Sequence, residues 1–194
     1  MLPLIRQFNR EYYLAGGTAV ALHIGHRRSI DYGLFKFSSV NHKKIVDKIT
    51  AATQLPYEIT WRVAGQMNVI VGDVKLTFLE YPFHIPAERK FENIIKIPEL
   101  IDLAAMKAYE LGRRSKWKDY VDLYFILKNY FSIGQISART SEIFDQPFSE
   151  KLFRTQLNYF DDIDYSEQVD YVGTVVPEDE IRSWLTEASL AIDL

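Results

Sequence analysis

A glycine pair followed by a threonine, Gly16-Gly17-Thr18, is the first stretch of the chain whose residue types could do chemistry. It follows a short apolar strand candidate, residues 12–15, and precedes an apolar helical segment, residues 19–24. Glycines let the backbone approach an anion closely, and Thr18 could cap the helix that follows. Exposed N–H groups at a helix start favour a phosphate. The stretch therefore predicts a phosphate-binding turn, and a turn that only joins a strand to a helix is the alternative.

Asp31 lies on the next predicted strand, beside that turn. A carboxylate at this point could hold a divalent cation against the same phosphates, because Mg²⁺ prefers carboxylate oxygens together with substrate phosphate. Asp31 is therefore the predicted metal ligand.

A second group of polar residues has the pattern Lys116-x-x-Asp119-x-x-Asp122 at the start of a predicted helix. A spacing of three along a helix brings Asp119 and Asp122 to neighbouring positions on one face, and Lys116 can reach that face from just before it. The alternative interpretation is structural. Asp119 would then stabilise a helix start, and Asp122 would pair with Arg113 or Arg114.

These two patterns resemble motifs of a known family. Residues 13–35 are similar to the first motif of the minimal nucleotidyltransferases, in the branch of AbiEii/AbiGii-type toxins: Gly-Gly-Thr-Ala, a Leu/His-rich helix, Arg-Arg-Ser, then Asp-x-Asp-Leu-Phe. The pattern from Lys116 to Asp122 resembles a later motif of that family. The resemblance implies transfer of a nucleoside monophosphate from a nucleoside triphosphate to an RNA, such as tRNA, or to a protein acceptor. It also implies a toxin role beside a separate antitoxin.

The resemblance assigns roles to individual residues. The glycine turn would hold the β and γ phosphates, Mg²⁺ would bind Asp31, and Lys107 or Lys116 would neutralise charge on the departing pyrophosphate. The implied catalytic residues are Asp31, Lys116, Asp119 and Asp122, and the implied nucleotide-binding residues are Gly16, Gly17, Thr18, Arg28, Ser29 and Lys107.

Two positions depart from the family pattern. Gly33 stands where the second aspartate is expected, and Thr77 stands where a third carboxylate is expected, on a predicted strand that faces the Asp31 strand. A two-metal site needs several carboxylates, and losing one key catalytic group costs a factor of about 10² or more. The alternative function is therefore a nucleotidyltransferase fold without polymerase-type catalysis that serves as a nucleotide- or partner-binding module. The sequence leaves open whether the chain is an enzyme.

The order of the predicted strands and helices that carry these residues indicates an α+β fold. Strand and helix alternate up to residue 53, and three segments with a period of two follow, residues 58–63, 67–71 and 74–81. This order predicts a nucleotidyltransferase-like mixed sheet with flanking helices. The chain becomes helical beyond Pro98. We therefore predict a core domain over residues 1–97 and a helical region over residues 98–194 that packs on it.

Composition limits the class of protein. The 194 residues include no cysteine and no apolar run of about 18 residues, which excludes a disulfide framework and makes a membrane span unexpected. The start of the chain lacks the pattern of a secretory signal, so the cytoplasm is the expected location. Charge is uneven: residues 158–194 carry −9 and residues 1–157 carry +6. The acidic tail is either a solvated surface or a segment that folds over a basic groove.

Overall fold

Short strands of alternating apolar residues build one mixed sheet in the computed structural model, which describes residues 1–111, 113, 116–144 and 148–191. Its described strands have the order β3-β4-β5-β2-β1-β7-β6. The β2–β5 and β1–β7 pairs are parallel and the other neighbours are antiparallel. The strands are β1 Tyr13–Ala15, β2 Tyr32–Lys36, β3 Tyr57–Val63, β4 Gln66–Val71, β5 Val74–Glu80, β6 Arg89–Phe91 and β7 Ile95–Ile97.

Eight helices accompany the sheet in the described residues, so the prediction of an α+β fold with a mixed sheet is confirmed. Five of them follow the last strand, in agreement with the predicted helical second half. The helices are α1 Leu2–Arg6, α2 Gly16–Ile24, α3 His42–Ala52, α4 Leu100–Glu110, α5 Trp117–Asn129, α6 Ile133–Ile143, α7 Glu150–Leu157 and α8 Glu178–Leu190. Within these residues, no helix has both the length and the apolar composition needed to cross a membrane.

The chain divides into two compact units that are discontinuous in sequence. The first unit comprises Met1–Ala19 and Ser29–Glu99 and contains the whole sheet. The second comprises Val20–Arg28 and Leu100–Leu194. The predicted division into residues 1–97 and 98–194 stays a prediction, but the segment from Val20 to Arg28 clusters with the helical half.

The core of the first unit forms on one face of the central strands β2, β5 and β4. Leu34 on β2, Phe78 on β5 and Met67 on β4 each have 0% exposure. The ring of Phe8, which follows α1, lies 4.8 Å from the ring of Phe78. Burying such large apolar side chains is the main favourable contribution to folding. This packing fixes which strand residues point away from the core, toward the half-exposed face.

Two features of the fold differ from the sequence prediction. The strands β6 and β7 were not predicted, because a strand of three residues shows too little alternation to be recognised. The helical region predicted from residue 98 starts two residues later, since α4 begins at Leu100. The predicted strand–helix alternation up to residue 53 ends in α3, whose Asn41 cap accepts a hydrogen bond from the Lys44 N–H at 3.0 Å.

Candidate functional site

The glycine turn opens directly into α2. Gly16 has a φ of +74°, a conformation that glycine adopts without strain, and no atom lies within 4 Å of the place where its Cβ would be. The first N–H groups of a helix have no partner within it. Open space beside Gly16 and free N–H groups together suit an anion.

Thr18 is buried beneath this turn and links it to the residues before β2. Its side chain is 4% exposed, and its hydroxyl donates to the backbone oxygen of Asp31. The single hydroxyl hydrogen is thereby used, so the Ser29 hydroxyl donates in turn to Thr18 Oγ1, at 2.7 Å. The prediction that Thr18 caps α2 is wrong, because Thr18 lies inside the helix, which begins at Gly16. Thr18 instead ties the helix start to residues 29–31.

Asp31 is exposed and lies immediately before β2, one residue outside the strand on which it was predicted. Its backbone oxygen is held by Thr18, so the residue is fixed beside the glycine turn. An exposed carboxylate in this place could share a cation with a bound phosphate. The role of Asp31 as a metal ligand stays a prediction.

The two positions that lack the family carboxylates are direct neighbours. Gly33 on β2 is the register partner of Thr77 on β5, so the two strands lie side by side as predicted. A Cβ on Gly33 would lie 3.0 Å from the backbone oxygen of Ala15 and 3.0 Å from the Phe35 ring. Such contacts are tighter than packed side chains tolerate without a shift. The local backbone therefore disfavours an aspartate at position 33.

The second unit contains a buried cluster of charges around Asp122, which is completely buried. The guanidinium of Arg27 donates to both carboxylate oxygens of Asp122, with Nε to Oδ1 at 2.7 Å and an Nη to Oδ2 at 2.9 Å. The ring Nε2 of His26 lies 2.6 Å from Oδ1. The ammonium of Lys107 lies 2.7 Å from Oδ2. Two parallel Arg–carboxylate hydrogen bonds are the strongest geometry for such a pair.

Lys107 joins the two predicted catalytic aspartates. Besides Asp122, its ammonium contacts Asp119 Oδ1 at 2.6 Å, and both residues are buried. The predicted proximity of Asp119 and Asp122 on one face of α5 is thus realised, with Lys107 of α4 between them. A cation that already contacts two carboxylates carries little net charge toward a pyrophosphate. The implied catalytic and nucleotide-binding roles of these three residues stay predictions.

The charges around Asp122 also control its ionisation. Burial alone would raise the pKa of this carboxyl, but the charges of Lys107 and Arg27 and the hydrogen bonds from His26 and Arg27 outweigh burial. They hold the pKa of Asp122 well below its usual range. The carboxylate is therefore ionised in the folded protein at every ordinary pH.

The acidic tail contacts basic side chains of the same unit. Glu167 pairs with Lys116, the residue that precedes α5, and its other oxygen lies 3.2 Å from Lys118. The backbone N–H of Arg28 donates to the backbone oxygen of Asp170 at 2.7 Å. The guanidinium of Arg28 lies 3.6 Å from a carboxylate oxygen of the same residue. The hypothesis that the tail folds over basic residues therefore agrees with these contacts. Ion pairs near the surface contribute little to stability. They nevertheless give Arg28, Lys116 and Lys118 carboxylate partners within the chain.

His26 and Arg27 were not predicted as partners of Asp122. The structural alternative named Arg113 or Arg114 instead, because these residues are near Asp122 in sequence. Arg113 instead lies over the Tyr109 ring, 3.7 Å from its centroid, and Arg114 is outside the described residues. The available signal was a histidine and an arginine placed side by side, directly before Arg28 and Ser29, which the resemblance implies to be nucleotide-binding residues.

The predicted site residues fall in both units. Gly16, Gly17, Thr18, Ser29 and Asp31 belong to the first unit, and Arg28, Lys107, Lys116, Asp119 and Asp122 belong to the second. Within the described residues, no three or more histidine, aspartate or glutamate side chains are grouped so that they could hold a metal ion.

Comparison with known sequences identifies a relative that matches part of the chain. An uncharacterized protein of Aquifex aeolicus (strain VF5) is 28% identical over 127 residues, which is 62% of this chain and 59% of that relative's length. The chain thus spans less than two thirds of the curated relative that it matches. No protein-family model matches the chain.

Two solved structures have the same fold. A candidate nucleotidyltransferase from H. pylori aligns with a TM-score of 0.60 at 16% identity, covering 96% of this chain and 88% of that one. MenT4, a nucleotidyltransferase toxin from Mycobacterium tuberculosis H37Rv, aligns with a TM-score of 0.65 at 11% identity, covering 97% and 79%. The prediction of a nucleotidyltransferase-like fold is therefore confirmed.

We predict that Asp122→Asn destabilises the protein by about 3–5 kcal/mol, because it leaves Arg27 buried without its countercharge and Lys107 with Asp119 as its remaining carboxylate. The matched control is Asp170→Asn, whose partner Arg28 is exposed, and its expected cost is below about 1 kcal/mol. Urea unfolding followed by circular dichroism measures both. Similar small costs for the two variants would show that the buried cluster is not a stabilising constraint.

The depressed pKa of Asp122 makes its contribution to stability pH-dependent. Its folded pKa lies below its unfolded value, so the contribution is complete above about pH 4 and is lost as the pH falls further. The difference in unfolding free energy between wild type and Asp122→Asn should shrink by about 1 kcal/mol between pH 5 and pH 3. A constant difference across that range, in parallel urea titrations, would contradict this assignment.

The close contacts around Gly33 predict that even a methyl group is unfavourable at this position. Gly33→Ala should destabilise the protein by about 1–3 kcal/mol, since the Ala15 backbone oxygen cannot move as a side chain does. Thr77→Ala, at the register partner, should change the unfolding free energy by less than about 1 kcal/mol, because it adds no atom. Equal stability of Gly33→Ala and wild type would contradict the steric limit at this position.

Proposed function

We propose that this protein is a nucleotide-binding module built on a nucleotidyltransferase-like fold, which binds a nucleoside triphosphate at the turn formed by Gly16, Gly17 and Thr18. The open space beside Gly16 supports an anionic ligand, as do the N–H groups at the start of α2, which have no partner within the helix. Asp31, tied to the turn through Thr18, would share a magnesium ion with the phosphates.

The observation that carries the proposal is the pairing of Gly33 with Thr77. These residues are direct neighbours on parallel strands, and neither has a carboxylate. A polymerase-type site uses several carboxylates to hold two divalent ions. Asp31 with a glycine and a threonine does not fit that donor set, whereas one carboxylate plus substrate phosphates fits a single Mg²⁺. The residues therefore suit binding better than two-metal transfer.

Transfer of a nucleoside monophosphate to an RNA or protein acceptor is the second candidate function. The similarity of fold to the toxin MenT4 favours it, as does the resemblance of residues 13–35 to the AbiEii-type motif. In this case the protein would act as the toxin of a pair with an antitoxin. The catalytic residues would be Asp31, Lys116, Asp119 and Asp122.

Calorimetric titration with ATP, GTP, CTP and UTP, each with and without Mg²⁺, tests the proposal. We expect at least one nucleotide to bind, and Mg²⁺ to strengthen its binding to wild type but not to Asp31→Asn. Asp73→Asn is the matched control, because Asp73 is an exposed aspartate of the same unit in the turn before β5. Its magnesium dependence should equal that of wild type.

Two other results would change the conclusion. Absence of binding for all four nucleotides would overturn the proposed function. Incubation with each α-labelled nucleotide and a total tRNA fraction separates the two candidates. Label that moves from the nucleotide to RNA or to protein, and fails to move with Asp31→Asn, would establish the transferase instead of the binding module.

A further inference from the structure

The half-exposed face of the sheet carries polar side chains on its central strands. Leu34 on β2 and Phe78 on β5 are register partners with 0% exposure, so the residues that alternate with them point to the opposite face. Gly33 and Thr77 are the register partners on that opposite face, and both are half-buried. This face therefore remains partly open to solvent, unlike the core face.

Lys75 is the charged residue that β5 contributes to the half-exposed face. It lies two residues before Thr77, and side chains two apart along a strand point to the same face. Its register partner on β4 is Ile70, which is half-buried, whereas Val69 and Val71 on the core face have 0% exposure. Lys75 is itself half-buried, so its side chain lies at the boundary between the sheet and solvent.

Lys75 and Asp31 have corresponding places at the start of two parallel strands. Tyr32 on β2 and Leu76 on β5 are register partners, and Asp31 and Lys75 each precede this pair by one residue. Neighbouring strands lie about 4.8 Å apart. Among the residues that the structure describes, the Lys75 ammonium makes no ion pair, with Asp31 or with any other carboxylate. Its charge is therefore available to a ligand.

The glycine turn lies at the same end of the sheet. The strand β1 is antiparallel to β2, and its last residue, Ala15, leads directly into Gly16. Thr18 holds the backbone oxygen of Asp31 beside this turn. Because β2 lies between β1 and β5, the turn is two strand spacings from Lys75, roughly 10 Å. Phosphates held at the turn and extending past Asp31 come within reach of the lysine side chain.

A lysine in this place changes the chemistry of the half-exposed face. Two divalent ions need several carboxylates, but here Gly33 and Thr77 follow a lysine at the start of β5 and a single aspartate before β2. An ammonium repels a divalent cation and attracts a phosphate. Its charge belongs to the protein and needs no metal. The lysine is therefore suited to neutralise phosphate charge that a second Mg²⁺ would neutralise in a two-metal site.

We propose that Lys75 binds a phosphate of the nucleoside triphosphate held at the glycine turn and supplies the charge of a second magnesium ion. This inference rests on the proposed function of nucleotide binding. One Mg²⁺ at Asp31 and the ammonium of Lys75 then bind the phosphates from neighbouring strands. The lysine contacts phosphate directly, so its contribution persists when Mg²⁺ is removed.

Calorimetric titration of wild type and Lys75→Met with ATP, GTP, CTP and UTP tests this inference. Lys75→Met should weaken nucleotide binding about tenfold or more, since it removes a charge-assisted contact. The loss should be similar with Mg²⁺ and with EDTA. The matched control is Lys90→Met, at an exposed lysine on β6, the edge strand of the same sheet, and it should bind as wild type does.

Lys75→Arg separates the charge of the side chain from its shape. It keeps a cation for the phosphate, so its affinity should stay within about threefold of wild type. The melting temperature of Lys75→Met without nucleotide should equal that of wild type, because the ammonium has no ion pair to lose within the described residues. A loss of binding by this variant is then not a loss of folding.

The outcomes distinguish this inference from the proposed function. Wild-type affinity of Lys75→Met would overturn the role of the lysine and leave nucleotide binding at the turn intact. Equal losses in Lys75→Arg and Lys75→Met would also overturn it, because the charge would not be responsible. A loss seen only with Mg²⁺ would overturn the direct contact with phosphate. Absence of nucleotide binding to wild type would overturn the proposed function itself.

Discussion

The second unit depends on keeping one carboxylate charged in the protein interior. Asp122 has no access to water, and removing an ion from water costs several kcal/mol unless its partners are placed well. Those partners come from two places: His26 and Arg27 lie in the segment after α2, and Lys107 lies on α4. The carboxylate thus links α5 to two other segments of the unit. The charge of Asp122 is balanced only when these segments are in place together.

Charge pairing explains why the net charge of the chain says little about its surface. In the second unit, Lys116, Lys118 and Lys107 all contact carboxylates of that unit. In the first unit, Lys44 and Lys48 both contact Glu11. The acidic tail offsets basic residues to which it is paired, and a basic surface that is already neutralised attracts anionic ligands only weakly.

The sequence predicted the mixed sheet, α3, the meander of β3 to β5 and the pairing of the strands that contain Gly33 and Thr77, because period and turn residues are local signals. It did not predict β6 and β7, which are too short to show a period, or the partners of Asp122. Arg27 and Asp122 are 95 residues apart, and no local pattern links them. The steric limit at Gly33 likewise depends on the backbone of another strand, Ala15 on β1, which no spacing rule describes.

The segment from Val20 to Arg28 has a consequence for dissecting the protein. It is early in the sequence but belongs to the compact unit formed by residues after Glu99. A fragment that stops near residue 99 contains His26 and Arg27 without the carboxylate they contact, and the complementary fragment contains Asp122 without them. During synthesis, Arg27 cannot contact Asp122 until 95 further residues have been added to the chain. The two units are thus interleaved along the chain, and a single cut cannot release both of them intact.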